Sequence, residues 1–197
     1  VVNKQIFAKT IWSHLLAQIP LVVFIIDLIY QPFFANTGER IIHFTGQTTM
    51  QLLLATISVS WIATRIKFGL LIRWRRPLGL WTFCYALLHL TAFLIFETGL
   101  SWLEIQKSFI ELQYVWFGSI AFVIFLLLAL TSNRYAYQKL KHNWQRLHNL
   151  VYLAGLLAMI HLILLIKSSY QDAVVYGLLF VLIMTVKMLT KWQTKSN

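Results

Sequence analysis

The chain has 197 residues, 59% of them hydrophobic and only 12% charged, with a formal net charge of +11. Soluble domains carry about 25% charged residues, so this balance excludes a soluble catalytic domain and describes a polytopic membrane protein. The single cysteine, Cys84, excludes a disulfide framework, an iron–sulfur cluster and a thiolate zinc site within the chain.

Apolar runs bounded by charge predict an all-α bundle of six transmembrane helices in one domain over 1–197. The spans fall at 11–30, 41–64, 77–98, 114–131, 147–167 and 174–189, each near the ~20 residues that a bilayer crossing needs. Pro20 interrupts the first run, where a kink is tolerated. The same run carries Asp27 and no small-residue cleavage motif, so it does not read as a cleavable signal. Pro77 is expected in the first turn of the third helix. Neither a G-x-G-x-x-G nor a Walker-A loop occurs, and residue identities reveal no internal repeat.

Charge orients the bundle. Lys4, Lys9, Arg65, Lys67, Arg73, Arg75, Arg76, Arg134, Lys139, Lys141, Arg146, Lys187, Lys191 and Lys195 fall on one side, 14 of the 17 basic residues. Arg40, Lys107 and Lys167 lie with all six acids in or beside the other loops. The positive-inside rule then places both termini in the cytoplasm. The basic charge faces lipid and solvent in this reading, and nucleic acid is not an expected partner.

Ionisable side chains at bilayer depth are candidate functional sites. The third and fifth spans run in the same direction. At 1.5 Å per residue His89 lies ~18 Å beyond Pro77, and His161 ~21 Å beyond Leu147. Equal depth on two helices is what bis-histidine ligation of one haem iron requires. Isolated histidines, each bonded to a neighbouring helix, are the alternative. His148 precedes His161 by 13 residues, ~19.5 Å along a helix, so it serves a separate inner site or a structural bond. The third helix offers Arg75 and Arg76 at that level, which suit phosphate or propionate. His43 is either a propionate or docking contact at the outer side or an ordinary interfacial histidine. His14 reads as structural and His142 as solvated.

The blocks His43-Phe44-Thr45-Gly46, Arg75-Arg76-Pro77-Leu78-Gly79-Leu80-Trp81, Leu88-His89-Leu90-Thr91 and Trp144-Gln145-Arg146-Leu147-His148-Asn149 keep their order and spacing over about residues 10–190. In these the chain resembles the MsrQ family, the haem-binding membrane subunits of the bacterial periplasmic methionine sulfoxide reductase system. That family sits within the ferric-reductase-like superfamily. The resemblance implies a multi-pass protein of the bacterial inner membrane, a non-catalytic electron-transfer subunit. It implies electrons taken from quinone or a cytoplasmic flavin reductase and given to a periplasmic molybdopterin methionine sulfoxide reductase. The implied cofactors are one or two haems b, with His89, His148 and His161 as ligands, and FMN. Arg73, Arg75 and Arg76 are candidates for a flavin phosphate, and Trp144 for a further cofactor contact. Relatives with two bis-histidine haems have a fourth histidine near position 75, which this chain lacks. A stand-alone ferric- or oxygen-reducing haem protein is the competing redox reading. A cofactor-free transporter or assembly subunit is the competing class.

Overall fold

The computed structural model describes residues 2–30, 36–66, 69–165 and 171–196, with side chains described for 11–30, 36–63, 65–66, 71–165, 171 and 173–189. Lys67 and Lys167 of the charge pattern lie outside the described residues, as do the side chains of Lys4, Lys9, Asp172, Lys191 and Lys195. Helices α1 (Val2–Tyr30), α2 (Thr37–Arg65) and α3 (Gly69–Ala92) come first, and a π-helical turn, Phe93–Glu97, extends α3. Then follow α4 (Trp102–Glu111), α5 (Gln113–Leu130), α6 (Arg134–Leu140), α7 (His142–His148), α8 (Leu150–Leu165) and α9 (Gln171–Ser196). No strand occurs among the described residues.

Four stretches are long and apolar enough to cross a membrane: Ile11–Tyr30, Leu71–Glu97, Gln113–Leu130 and His142–Leu165. A shorter apolar stretch, Ala173–Leu189, lies in α9. The outward surface is apolar as well. Val22, Val23, Ile29, Leu178, Val181 and Leu182 are all more than half exposed, which suits lipid and not water.

Helix α2 has the length of a span but is rich in Thr, Ser and Gln, because it runs through the middle of the bundle. Its hydroxyls are returned to its own backbone: Thr45 donates to the Ile41 carbonyl, Thr49 to Thr45, Thr56 to Leu52 and Ser58 to Leu54, each at 2.7 Å. Such bonds let a helix carry hydroxyls without leaving buried donors unpaired. Leu53, Leu54 and Ile57 of α2 meet Ala86 of α3, Ile124 and Phe125 of α5, Ala154 of α8 and Phe180 of α9 in the main core. A second cluster joins Ala17 of α1 to Leu52, Leu78 and Tyr85. There the Tyr85 hydroxyl donates to the Ala17 carbonyl at 3.0 Å. Phe24 stacks on Phe44 at 4.0 Å, and Asp27 pairs with Arg40, tying α1 to α2.

One local expectation is corrected. Pro77 lies inside α3 and does not open it. The helix begins at Gly69, because the apolar residues Leu71, Ile72 and Trp74 extend it beyond the arginines, and the missing Pro77 N–H costs one helical bond. The fifth apolar run passes from α7 into α8 through Asn149, whose φ of −72° and ψ of −16° stay helical, so His142–Leu165 form one apolar stretch. Between α3 and α5 the chain forms α4, started by Ser101, whose hydroxyl accepts from the Glu104 N–H. The turn before it places Gly99 and Leu100 at positive φ, 57° and 59°.

Candidate functional site

His89 projects from α3 and His161 from α8, and their ring centroids are 6.2 Å apart with planes crossed at 88°. Each ring is held by a carbonyl of the helix next to it. His89 Nδ1 lies 2.9 Å from the Ile42 oxygen on α2, and His161 Nδ1 lies 2.7 Å from the Tyr114 oxygen on α5. A carbonyl oxygen only accepts, so Nδ1 carries the proton in both rings and both Nε2 atoms keep a lone pair. That is the tautomer a metal-bound histidine has when its other nitrogen donates to a backbone carbonyl. The Thr45 hydroxyl, 3.3 Å from His89 Nδ1, adds a second contact to the first ring.

Glycine makes room for each imidazole. A Cβ at Gly46 would stand 3.0 Å from His89 Cε1, and one at Gly118 would stand 2.7 Å from His161 Nδ1. The described residues contain no group of three or more His, Cys, Asp or Glu that could hold a metal ion. Two imidazoles with ring centroids 6.2 Å apart, each with an unprotonated Nε2, fit an iron whose other four ligands come from a macrocycle.

Towards the basic end of the bundle lies a cavity of about 460 Å³, lined among others by Arg75, Arg76, Arg134, Tyr137, Trp144 and His148. This volume is within the usual range for cofactor pockets. Trp144 stacks on the His148 ring at 3.9 Å with planes 25° apart, and its Nε1–H donates to the Thr131 carbonyl at 3.0 Å. The Thr131 hydroxyl donates to the Leu127 carbonyl at 2.7 Å. Its oxygen therefore accepts from His148 Nε2, 3.2 Å away. His148 thus spends on a hydroxyl the nitrogen that His89 and His161 keep free.

The structure brings Arg75, Arg76, Trp144 and His148 into one cavity. Arg73 is exposed and does not line it, and His43 is exposed at the far end of α2. His14 accepts from Trp81 Nε1 at 3.1 Å, linking α1 to α3.

Residues 42–159 match the family of ferric reductase like transmembrane components. The chain is 39% identical over 192 residues, 96% of each chain, to the protein-methionine-sulfoxide reductase heme-binding subunit MsrQ of Cronobacter sakazakii. It is 38% identical over 185 residues, 93% of each chain, to proteins of the same name from Salmonella paratyphi B and Salmonella newport. The chain belongs to the MsrQ family.

Within this MsrQ-family chain, the ferric-reductase match opens at Ile42, whose carbonyl holds His89, and closes two residues before His161. Sequence reasoning passed over four contributors. Gly46 was legible only as part of a motif, and Gly118 carries no side chain to notice. The Ile42 and Tyr114 carbonyls are backbone atoms, invisible to residue type. Arg134 and Tyr137 also line the basic cavity, and the one signal for Arg134 was its place in a basic loop.

Proposed function

We propose that the chain is the membrane electron-transfer subunit of a methionine sulfoxide reductase system, with haem b held between His89 and His161. The observation that carries this reading is the pair of Nδ1–carbonyl bonds, which leave Nε2 unprotonated on both of two rings whose centroids are 6.2 Å apart. When bound, haem b supplies a one-electron iron centre inside the bilayer. The protein's own contribution is to orient the imidazoles through Ile42 and Tyr114 and raise their basicity as ligands. The apolar packing of α2, α3, α5 and α8 excludes water from around them.

In this reading α2 and α9 cross the membrane alongside the four long apolar helices, giving six spans. The partition of basic residues favours cytoplasmic termini, in the inner membrane of a bacterium. Electrons then enter at the basic end from quinone or a cytoplasmic flavin reductase. They leave at the opposite end for a periplasmic molybdopterin methionine sulfoxide reductase. The names of the relatives, heme-binding subunits of a protein-methionine-sulfoxide reductase, support that partner.

For the basic cavity we assign an anionic cofactor: FMN first, then a quinone head group, then a weakly ligated second haem using His148. Three guanidinium groups and the flat Trp144 indole favour a planar, negatively charged ligand. The His148 Nε2 bond to Thr131 counts against ligation by that atom.

Reduced-minus-oxidised spectra of the purified protein test the central assignment. Wild type should show the bands of a low-spin haem b, and His89→Ala and His161→Ala should each lose them. Unchanged haem content and band shape in both variants would overturn it. A colourless wild-type protein would instead favour a cofactor-free assembly subunit.

A further inference from the structure

The two imidazoles are held in the same register. His89 lies 47 residues after its carbonyl acceptor Ile42, and His161 lies 47 residues after its acceptor Tyr114. In each case a glycine stands four residues after the acceptor, Gly46 on α2 and Gly118 on α5. Acceptor, glycine and histidine of the second set each lie 72 residues beyond the first (114 after 42, 118 after 46, 161 after 89).

We propose that the helix pairs α2–α3 and α5–α8 are equivalent halves of one ligand frame, in which Gly46 and Gly118 are positioning residues that hold the two imidazoles crossed. The proposal rests on the haem reading above. Its physical basis is the geometry of a helical carbonyl. The oxygen of residue i already accepts from the N–H of residue i+4, and its second lone pair is free to accept from a histidine. Here each imidazole that reaches such a carbonyl lies against the glycine four residues on: a Cβ would stand 3.0 Å from His89 Cε1 at Gly46 and 2.7 Å from His161 Nδ1 at Gly118. At Gly118 the ring would have to shift, and at Gly46 it would have to give by a few tenths of an ångström. Glycine at i+4 thus lets each ring keep the Nδ1 bond that sets its plane.

The same register carries to the basic end. Arg76 precedes His89 by 13 residues as His148 precedes His161, and both line the basic cavity. One half of the frame thus presents a guanidinium where the other presents an imidazole. The remaining partners differ, Ile42 against Tyr114 and Thr45 against Phe117, so residue identity conceals the equivalence and only the backbone register discloses it.

Crossed rings have an electronic signature. Two imidazole planes at right angles leave two iron d orbitals close in energy, so the orbital moment survives and the ferric low-spin electron paramagnetic resonance signal has one unusually large g value. Parallel planes split those orbitals and give an ordinary rhombic signal. The 88° between His89 and His161 calls for the former.

The test compares haem-loaded wild type with Gly46→Ala, Gly118→Ala and Gly155→Ala, by electron paramagnetic resonance and redox titration. Gly155 is the steric control. A Cβ there would meet Phe180 Cε2 at 2.7 Å, as severe a clash as at Gly118, but with no histidine involved. Wild type and Gly155→Ala should share the large-g signal and one midpoint potential. Gly46→Ala and Gly118→Ala should lose that signal and shift in potential, or lose haem while accumulating to the level of Gly155→Ala. A rhombic wild-type signal overturns the proposal, as do wild-type g values and potential in both alanine variants. If neither variant accumulates, the double variants Gly46→Ala/His89→Ala and Gly118→Ala/His161→Ala decide, because each removes the ring that the added Cβ would meet. Accumulation recovered to the level of Gly155→Ala supports the frame, and no recovery in either overturns it. Failure of the haem reading is distinct, since it appears as wild type without haem or as His89→Ala and His161→Ala with unaltered spectra.

Discussion

Trp144 lies flat against His148, 3.9 Å between ring centroids, and both are anchored to Thr131, one through its carbonyl and the other through its hydroxyl. The stacked pair lines the basic cavity together with Arg75 and Arg76. Its face is available to a planar ligand only while the indole keeps this orientation. Trp144→Ala should therefore lower retention of the inner cofactor several-fold while leaving the His89/His161 haem spectrum intact. Trp144→Phe, which keeps a ring but loses the bond to Thr131, should fall between the two. Cofactor content per polypeptide after purification measures this, and equal retention in all three proteins would remove Trp144 from the site.

The ordering of inner ligands is tested by quantifying haem and flavin in wild type, His148→Ala and a double Arg75→Ala/Arg76→Ala variant. One flavin per chain, lost in the double variant with haem near one throughout, is the expected result. A haem ratio near two that drops to one in His148→Ala would place a second haem there instead.

Orientation is tested by reporters fused after Asn197. A cytoplasm-dependent reporter should be active and a periplasm-dependent one silent, because the basic loops resist translocation. The reverse pattern would exchange the donor and acceptor ends of the protein.

Docking of α1 is tested at Tyr85, which is only 1% exposed and donates to the Ala17 carbonyl. Tyr85→Phe removes that hydrogen bond without removing the ring. It should cost about 0.5–1.5 kcal/mol, read as a lowered thermal unfolding midpoint in detergent with haem spectra unchanged. An unaltered midpoint would mean that the α1–α3 contact rests on apolar packing alone.

Composition by itself determined the class of this protein, because lipid solvation leaves a chain-wide apolar signal that needs no tertiary information. The helical rise likewise determined that His89 and His161 reach one level, since depth along a straight helix depends only on residue count. Their close approach, at 6.2 Å and with planes crossed at 88°, was decided by the tertiary structure. Helix rotation is set by packing against α2 and α5, and the Ile42 and Tyr114 carbonyls and the two glycines that hold the rings have no side-chain signature. The apolar run at 41–64 marked α2 as a span, but its place in the middle of the bundle, with its hydroxyls bonded back to its own carbonyls, was decided by packing. Arg73, Arg75 and Arg76 read alike as a basic cluster. In the folded chain Arg75 and Arg76 line the cavity and Arg73 does not, a sorting that exists only once α3 is packed against its neighbours.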